Sequence, residues 1–280
     1  VTSRNLKERL ERELIHNVAL RVEPGDSADK FKVSGRGELH LSVLIENMRR
    51  EGFELGVSRP EVIQKTIDGA VCEPYEQLVL DIDEQHQGGV MEELGLRRAE
   101  LTQLGLDGKG RVRLEFIVPA RGLIGFRSQF LTMTSGSGIM THIFDHYGPV
   151  TTAVLAARQN GVLVSMVTGK SLAYALHALQ ERGRLFLDPN IQVYEGQIVG
   201  LHSRGNDLVV NPTKAKQLTN VRASGTDEAL TLSPPVKHSL EQALEFIEED
   251  ELVEVTPESI RLRKKWLLEH ERKRASRSAA

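Results

Sequence analysis

The sequence has little cysteine, no long apolar run and little net charge, and each shortage excludes a class of protein. Its one cysteine, Cys72, excludes a disulfide within the 280-residue chain, which is typical of a reducing compartment. No apolar run approaches the roughly 20 residues that a membrane-spanning helix needs, and the charged segment 1–13 lacks the pattern of a signal peptide. The net charge of −3 excludes nucleic-acid binding through overall basicity, so any RNA site must be a local patch.

The clearest local pattern lies at residues 121–147, in the middle of the sequence. Leu123, Phe126 and Phe130 recur at near-helical spacing, which predicts a helix. The Gly-Ser run at residues 135–138 predicts the end of that helix, because glycine adopts the positive φ that a helix end requires. Residues 139–147 then show the two-residue alternation of a strand.

Two parts of the chain share one order of elements. From residue 78 the patterns indicate strand, helix, strand, a turn at Asp107-Gly108, strand, helix and strand, which is the βαββαβ order of a ferredoxin-like domain. Residues 3–58 indicate αββαβ and lack only the opening strand. We therefore predict an α+β chain with two ferredoxin-like domains, the first without its opening strand. Because the first unit lacks its opening strand, we expect the chain to start inside a domain. The absence of an initial methionine also indicates a fragment or a processed product.

The pattern changes after about residue 151. Short β-like runs there are more typical of a small barrel or bent sheet than of a helix bundle, and Ser239 with Gln242 forms a capping box before an amphipathic helix. Residues 206–225 are polar and predict a long, mobile loop, which at this length is usually functional or disordered. We predict a β-rich C-terminal domain with helices, and domain boundaries of 1–69, 70–152 and 153–280.

Two glycine motifs suggest nucleotide binding, and each has a simpler interpretation. In Gly169-Lys170-Ser171 the phosphate-binding loop would need another glycine at position 164, which is Val164. We expect Gly169 to end a strand and Ser171 to cap a helix, whose amino terminus beside Lys170 could still hold an RNA phosphate. The Gly-Arg-Gly at residues 35–37 lacks the third glycine of a dinucleotide fingerprint, so we interpret it as a tight turn.

No catalytic or metal-binding set is evident from spacing, and we predict no metal site. His142 and His146 share one face of the predicted strand while Asp145 takes the other, which favours a polar sheet surface over metal ligation. A metal- or phosphate-dependent enzyme using His142, His146 and Lys170 remains one alternative function. A protein–protein adaptor acting through the acidic face at residues 241–258 is another.

Local basic patches are the stronger candidates for function. Lysine and arginine neutralise phosphates, while asparagine, glutamine and threonine hydrogen-bond sugars and backbone. The predicted loop at residues 206–225 combines both kinds of side chain, which is typical of an RNA-binding loop. The other interpretation is a loop that is merely solvated. Near Arg111 and Arg113 lies a second patch, for which a solvated sheet face is the simpler reading, and the basic run 261–274 is a third. The predicted RNA-binding residues are Asn211, Lys214, Lys216, Asn220, Arg222, Lys170, Arg204, Lys109, Arg121 and Arg127.

Several long segments resemble one family of proteins. Residues 118–147 (VPARGLIGFRSQFLTMTSGSGIMTHIFDHY) resemble the fifth domain of the BipA/TypA ribosome-associated translational GTPases, and elongation factor G has a more distant version. Residues 33–41 (VSGRGELHL) resemble the third domain of both families. Residues 193–197 (VYEGQ) and 206–230 (NDLVVNPTKAKQLTNVRASGTDEAL) resemble the C-terminal domain peculiar to BipA/TypA.

The resemblance implies a function of contact rather than of catalysis in this chain. It implies a cytoplasmic parent protein that hydrolyses GTP with Mg²⁺ in an upstream domain, whereas this chain holds no cofactor and is not itself an enzyme. The implied partners of this monomer are the bacterial ribosome, its 23S rRNA and the A-site tRNA acceptor end, and no membrane. The implied role is to dock the GTPase near the A site, in translation regulation or in ribosome assembly under stress.

Overall fold

The computed structural model describes residues 2–151, 158–215 and 230–279. Contacts divide the chain into two compact units: residues 60–157 form one, and residues 1–59 together with 158–280 form the other. Among the described residues, none of the helices has the length and apolar character needed to cross a membrane. The three-domain division at residues 69 and 152 stays a prediction.

The first 59 residues have the predicted αββαβ order. β1 and β2 form an antiparallel two-stranded sheet, and both helices pack around Leu10, Leu44 and Met48. The elements are α1 (Ser3–His16), β1 (Arg21–Pro24), β2 (Phe31–Ser34), α2 (Glu38–Arg50) and β3 (Leu55–Ser58). In a ferredoxin-like sheet the last strand pairs with the first, which this sequence lacks, and β3 accordingly does not pair with β1 or β2.

Residues 60–157 contain a complete ferredoxin-like domain, as predicted. The four long strands lie in the order β8-β5-β7-β6 and every pair is antiparallel. The elements are β4 (Lys65–Ile67), β5 (Ala70–Asp83), α3 (Gln87–Leu96), β6 (Glu100–Leu106), β7 (Arg111–Pro119), α4 (Phe126–Met133) and β8 (Ile139–Pro149). Phe126 and Phe130 of α4 are fully buried against the inner face of the sheet.

The turn between α4 and β8 follows the chemistry of its residues. Gly136 has a φ of 81°, a left-handed conformation that glycine adopts without the cost of a side chain. Gly138 lies so close to Phe130 that a Cβ there would be 2.5 Å from the ring. The small residues at this turn therefore let the strand pass directly over the core.

The remaining residues are β-rich with three helices in the described part. The elements are β9 (Val162–Ser165), β10 (Gly169–Lys170), α5 (Ala173–Leu179), β11 (Gly183–Leu185), β12 (Gln192–Val193), β13 (Gln197–His202), β14 (Leu208–Val210), α6 (Leu240–Phe246), β15 (Glu251–Val255), β16 (Ile260–Lys264) and α7 (Glu269–Ala279). The capping box of Ser239 and Gln242 begins α6 as predicted. The predicted loop at 206–225 contains β14, and its residues 216–225 lie outside the described ranges.

One sheet joins this region to the start of the chain. Its strand order is β14-β9-β13-β16-β15-β3, and β11 also pairs with β13. β15 pairs antiparallel with β3, with Val253 opposite Val57. The sheet packs one face against α6, where Leu240, Ala243 and Leu244 are buried.

Candidate nucleic-acid interface

Lys170 and Lys214 lie at the same end of this sheet. A Cβ built at Gly169 would be 3.2 Å from Cγ2 of Thr213, so the two segments are in contact. The backbone N–H of Leu172 donates to the carbonyl of Pro212 at 3.0 Å. Both lysine side chains are exposed. The structure therefore brings together two predicted RNA-binding residues that are far apart in the sequence, and we name Lys170 with residues 211–214 the two-lysine cluster.

A short turn fixes the backbone of the two-lysine cluster. The Oδ1 atom of Asn211 accepts hydrogen bonds from the backbone N–H of Thr213 at 2.9 Å and from its hydroxyl at 2.8 Å. Asparagine often stabilises turns in this way. The carbonyl oxygen of the Asn211 side chain is thus used within the turn, and the exposed amide group retains its N–H donors for a ligand.

Lys170 belongs to a strand and not to a phosphate loop. It pairs with Gln192 in the β10–β12 ladder. The next residue, Ser171, is fully buried; its hydroxyl donates to the carbonyl of Asp188 at 2.9 Å and accepts from the N–H of Ile191 at 3.0 Å. The prediction that Ser171 caps α5 is wrong, because Leu172 occupies the N-cap position and the hydroxyl satisfies the neighbouring loop instead.

Arg204 lies at the other end of the same strands. The N–H of Gly161, just before β9, donates to the carbonyl of Arg204 at 2.8 Å, whereas Lys170 follows β9. β9 and β14 run parallel, and four residues of strand extend about 13 Å. The exposed Arg204 is therefore separate from the two-lysine cluster, while Lys216, Asn220 and Arg222 fall outside the described residues.

The two lysines of the cluster are not neutralised by the described part of the chain. Within residues 2–151, 158–215 and 230–279, no carboxylate lies within 4 Å of the Nζ atom of Lys170 or Lys214. Their charges face solvent, where a phosphate could approach. This arrangement contrasts with that of Arg111, Arg113 and Arg121 in the other unit, each of which has an acidic partner.

The candidates of the ferredoxin-like domain do not form one patch. Lys109 lies in the turn before β7, and Arg121 and Arg127 lie beyond its end. The nine residues of β7 extend about 30 Å. Lys109 and Arg127 are exposed, but they belong to opposite ends of the sheet.

Arg121 is held within its own unit. Its Nε atom lies 2.5 Å from Oε2 of Glu73, which is fully buried, and the guanidinium also donates to the carbonyl of Thr151. The backbone N–H of Thr151 donates to the other Glu73 oxygen at 2.7 Å. Nothing in the spacing of the sequence indicated Glu73 as the partner.

The strand arginines near Lys109 also have acidic partners. The Nε atom of Arg111 is 2.6 Å from Asp81, and a second nitrogen is 3.3 Å from Asp83; the hydrogen bond with Asp81 raises the pKa of the Arg111 guanidinium. Arg113 lies 3.0 Å from Glu115. The positive charge of this sheet face is therefore largely balanced.

The histidines of β8 have separate partners. His142 hydrogen-bonds to Glu76 of β5. His146 lies 2.6 Å from Asp145 and stacks on Tyr75, with ring centroids 5.1 Å apart. Within the described ranges, no group of three or more histidine, cysteine or acidic side chains is placed to hold a metal ion.

Three acids of the segment 241–258 point into the protein. Glu248 lies 3.0 Å from Arg59, and Glu251 is fully buried between Arg158 and Lys264. Glu254 pairs with Arg261 and accepts from the hydroxyl of Tyr194; burial together with this hydrogen bond raises the pKa of that hydroxyl. The acidic stretch is thus partly a structural feature, which leaves less charge for an adaptor surface.

Two family models and a set of curated proteins match this chain. The TypA/BipA C-terminal domain matches residues 160–269, and the elongation factor G C-terminus matches residues 70–158. The chain is 64% identical over 278 residues to the large ribosomal subunit assembly factor BipA of Haemophilus influenzae. It is 62% identical to the proteins of that name from Salmonella typhimurium and Escherichia coli K12. Each alignment covers 99% of this chain and 45–46% of the relative, so the chain spans about half the length of the relatives it matches.

Proposed function

Since this chain belongs to the TypA/BipA family, we propose that it is the ribosome-binding C-terminal portion of a GTP-binding translation factor. The observation that carries the proposal is the identity of 62–64% over 99% of the chain with proteins named for assembly of the large ribosomal subunit. On this proposal the chain acts in the cytoplasm and docks the factor on 23S rRNA near the A site. Its role is in ribosome assembly or in translation regulation under stress.

The two-lysine cluster is the proposed RNA contact of this portion. Lys170 and Lys214 present two exposed charges from a rigid strand and a fixed turn, so little ordering is needed when a phosphate binds. Lys216, Asn220 and Arg222 extend the contact along the chain towards the tRNA acceptor end. Further proposed contacts are Arg204, Lys109 and Arg127. The guanidinium of Arg121 instead forms an ion pair with Glu73.

The hydrolysis of GTP belongs to the parent protein in this proposal. The residues of this chain do not fit a nucleotide: Lys170 is part of a β-ladder, and Ser171 is buried against the loop at Asp188. The glycine-rich backbone cradle that holds phosphates in a nucleotide loop has no counterpart at Val164. No step of GTP hydrolysis is therefore assigned to these residues.

The test is co-sedimentation of the chain with bacterial 70S ribosomes and 50S subunits at several salt concentrations. Lys170→Ala/Lys214→Ala removes the described part of the contact, and Lys214→Ala/Lys216→Ala/Arg222→Ala removes its extension. Lys7→Ala/Arg12→Ala on the exposed face of α1 removes equal charge elsewhere and serves as the matched control. Each lost phosphate contact on single-stranded RNA should reduce the log–log salt slope by about 0.7.

The first double variant should therefore bind more weakly, with a slope smaller by about 1.4, while the control should bind like the unchanged chain. Equal binding by all four proteins would place the contact outside the two-lysine cluster. The same substitutions in the full-length parent form the second arm. If the unchanged parent and the unchanged chain both fail to sediment with ribosomal particles, the proposed function is wrong.

A further inference from the structure

The last helix, α7, presents a basic surface that the two-lysine cluster does not include. Its sequence, EHERKRASRSA, has no large apolar residue, and Arg274 and Arg277 are exposed one turn apart. Among the described residues no carboxylate lies within 4 Å of either guanidinium. Lys265, just before the helix, is exposed as well. We name these three exposed cations, which lie on and just before α7, the α7 patch.

Trp266 follows Lys265 in the sequence and lies three residues before the start of α7. Its backbone is anchored, because a guanidinium nitrogen of Arg272 donates to the carbonyls of Trp266, at 3.1 Å, and Leu267. Leu267 in turn packs on Gly196, where a Cβ would lie 2.6 Å from its Cα. Trp266 nevertheless remains 43% exposed. A fixed backbone that carries an exposed aromatic side chain is typical of a stacking platform.

We infer that the α7 patch and Trp266 form a second RNA contact, which binds an unpaired stretch of RNA. Arg274, Arg277 and Lys265 neutralise backbone phosphates, and an unstacked base lies on the indole of Trp266. This inference rests on the proposed function, since it assumes an RNA partner, and it adds a surface far from the two-lysine cluster in the sequence. Arginine and aromatic side chains together bind single strands with little preference for sequence.

The composition of the helix favours RNA over other acidic partners. A helix that lies on an anionic membrane inserts an apolar face, and α7 has none within residues 269–277. A protein interface usually has several buried apolar anchors, whereas Trp266 and Leu268 are the two exposed large apolar side chains in the described residues 265–277. The exposed guanidinium groups of Arg274 and Arg277 match phosphates, and the exposed tryptophan matches bases.

Trp266 is the one tryptophan of the chain, so its fluorescence reports directly on this contact. The probe is a single-stranded oligouridylate of about 12 nucleotides, a length within the range of single-strand binding sites. We expect it to quench the tryptophan emission, with an affinity that falls as salt rises. In Arg274→Ala/Arg277→Ala the salt slope should decrease by about 1.4, and alanine should preserve the helix.

A labelled oligouridylate followed by anisotropy tests the stacking itself. Trp266→Leu should weaken binding by about tenfold, the usual loss when a stacked aromatic is removed. The control Lys7→Ala/Arg12→Ala should leave both affinity and quenching unchanged. Far-UV circular dichroism should show equal helix content in all variants.

Three outcomes would overturn the inference: absence of quenching, equal affinity of the arginine variant and the control, or equal quenching by anionic phosphatidylserine vesicles. Ribosome co-sedimentation of the same preparations separates the two proposals. Sedimentation with ribosomes but no quenching by the oligonucleotide would remove the α7 contact alone. Failure of both the chain and its full-length parent to sediment would remove the proposed function.

Discussion

Replacing Lys264 with methionine should destabilise the unit that contains the seven-stranded sheet. The Lys264 side chain is 4% exposed, and its Nζ atom lies 2.6 Å from Asp207, 2.8 Å from Asp250 and 2.9 Å from Glu251. Methionine fills a similar volume without the charge, so the change isolates the electrostatic contribution. These carboxylates raise the pKa of Lys264 against the effect of burial, so the lysine is charged at neutral pH.

The expected decrease in the free energy of unfolding follows from how deeply each of the three acids is buried. Asp207 and Asp250 are nearly half exposed and can regain water, whereas Glu251 is fully buried. Removal of one partner of a buried ion pair costs about 3–5 kcal/mol. Arg158 still holds Glu251 through two hydrogen bonds of 2.8 and 2.9 Å, so we expect the lower end, about 3 kcal/mol.

Urea unfolding followed by Trp266 fluorescence measures this loss, since the tryptophan directly follows β16. With a denaturant dependence of about 2 kcal/mol per molar, the midpoint should fall by about 1.5 M. Lys273→Met is the matched control, because Lys273 lies 2.5 Å from Glu269 but is 68% exposed; exposed pairs contribute little, so its midpoint should barely move. Equal midpoints for the two variants would refute the argument that burial gives this cluster its stabilising effect.

Two further predictions concern pH and close packing. Burial raises the pKa of Glu251, but the Arg158 hydrogen bond and the Lys264 charge outweigh this effect and hold the pKa below its ordinary 4.5. The unfolded state therefore binds more protons near that pH, so the free energy of unfolding should fall as the pH decreases below about 4.5. Urea midpoints measured from pH 7 to 3 should show a smaller fall in Glu251→Gln than in the unchanged chain. Gly183→Ala should lower the free energy of unfolding by about 1–3 kcal/mol, because its Cβ would lie 1.9 Å from the carbonyl oxygen of Leu201. The control Gly56→Ala meets no atom within 4 Å and should not lower it. Equal urea midpoints for the two variants would contradict this reasoning.

Local patterns in the sequence predicted the elements well because each depends on near neighbours. The alternation in residues 111–116 predicted β7, and the capping box at Ser239 predicted α6. The ferredoxin-like order of residues 70–149 followed from the succession of these patterns. The Gly-Ser turn before β8 was predicted for the same reason, since its glycine conformation is a local property.

Contacts between distant segments could not be predicted from such patterns. The pairing of β3 with β15 joins strands near the two ends of the chain, and a strand pattern specifies which face is apolar but not which strand lies beside it. The spacing of charges likewise did not distinguish Arg121, which Glu73 holds, from Arg127, which is exposed.

The two-lysine cluster depends both on a local sequence pattern and on contacts between distant segments. The polar composition of residues 206–225 predicted a binding segment. That Lys170 lies beside this segment follows from the contact of Gly169 with Thr213 and the parallel pairing of β9 and β14, neither of which is a local pattern. The strands therefore place Lys170 beside the turn at residues 211–214. On the proposed function, a substitution that loosens this pairing should therefore weaken RNA binding even when both lysines are retained.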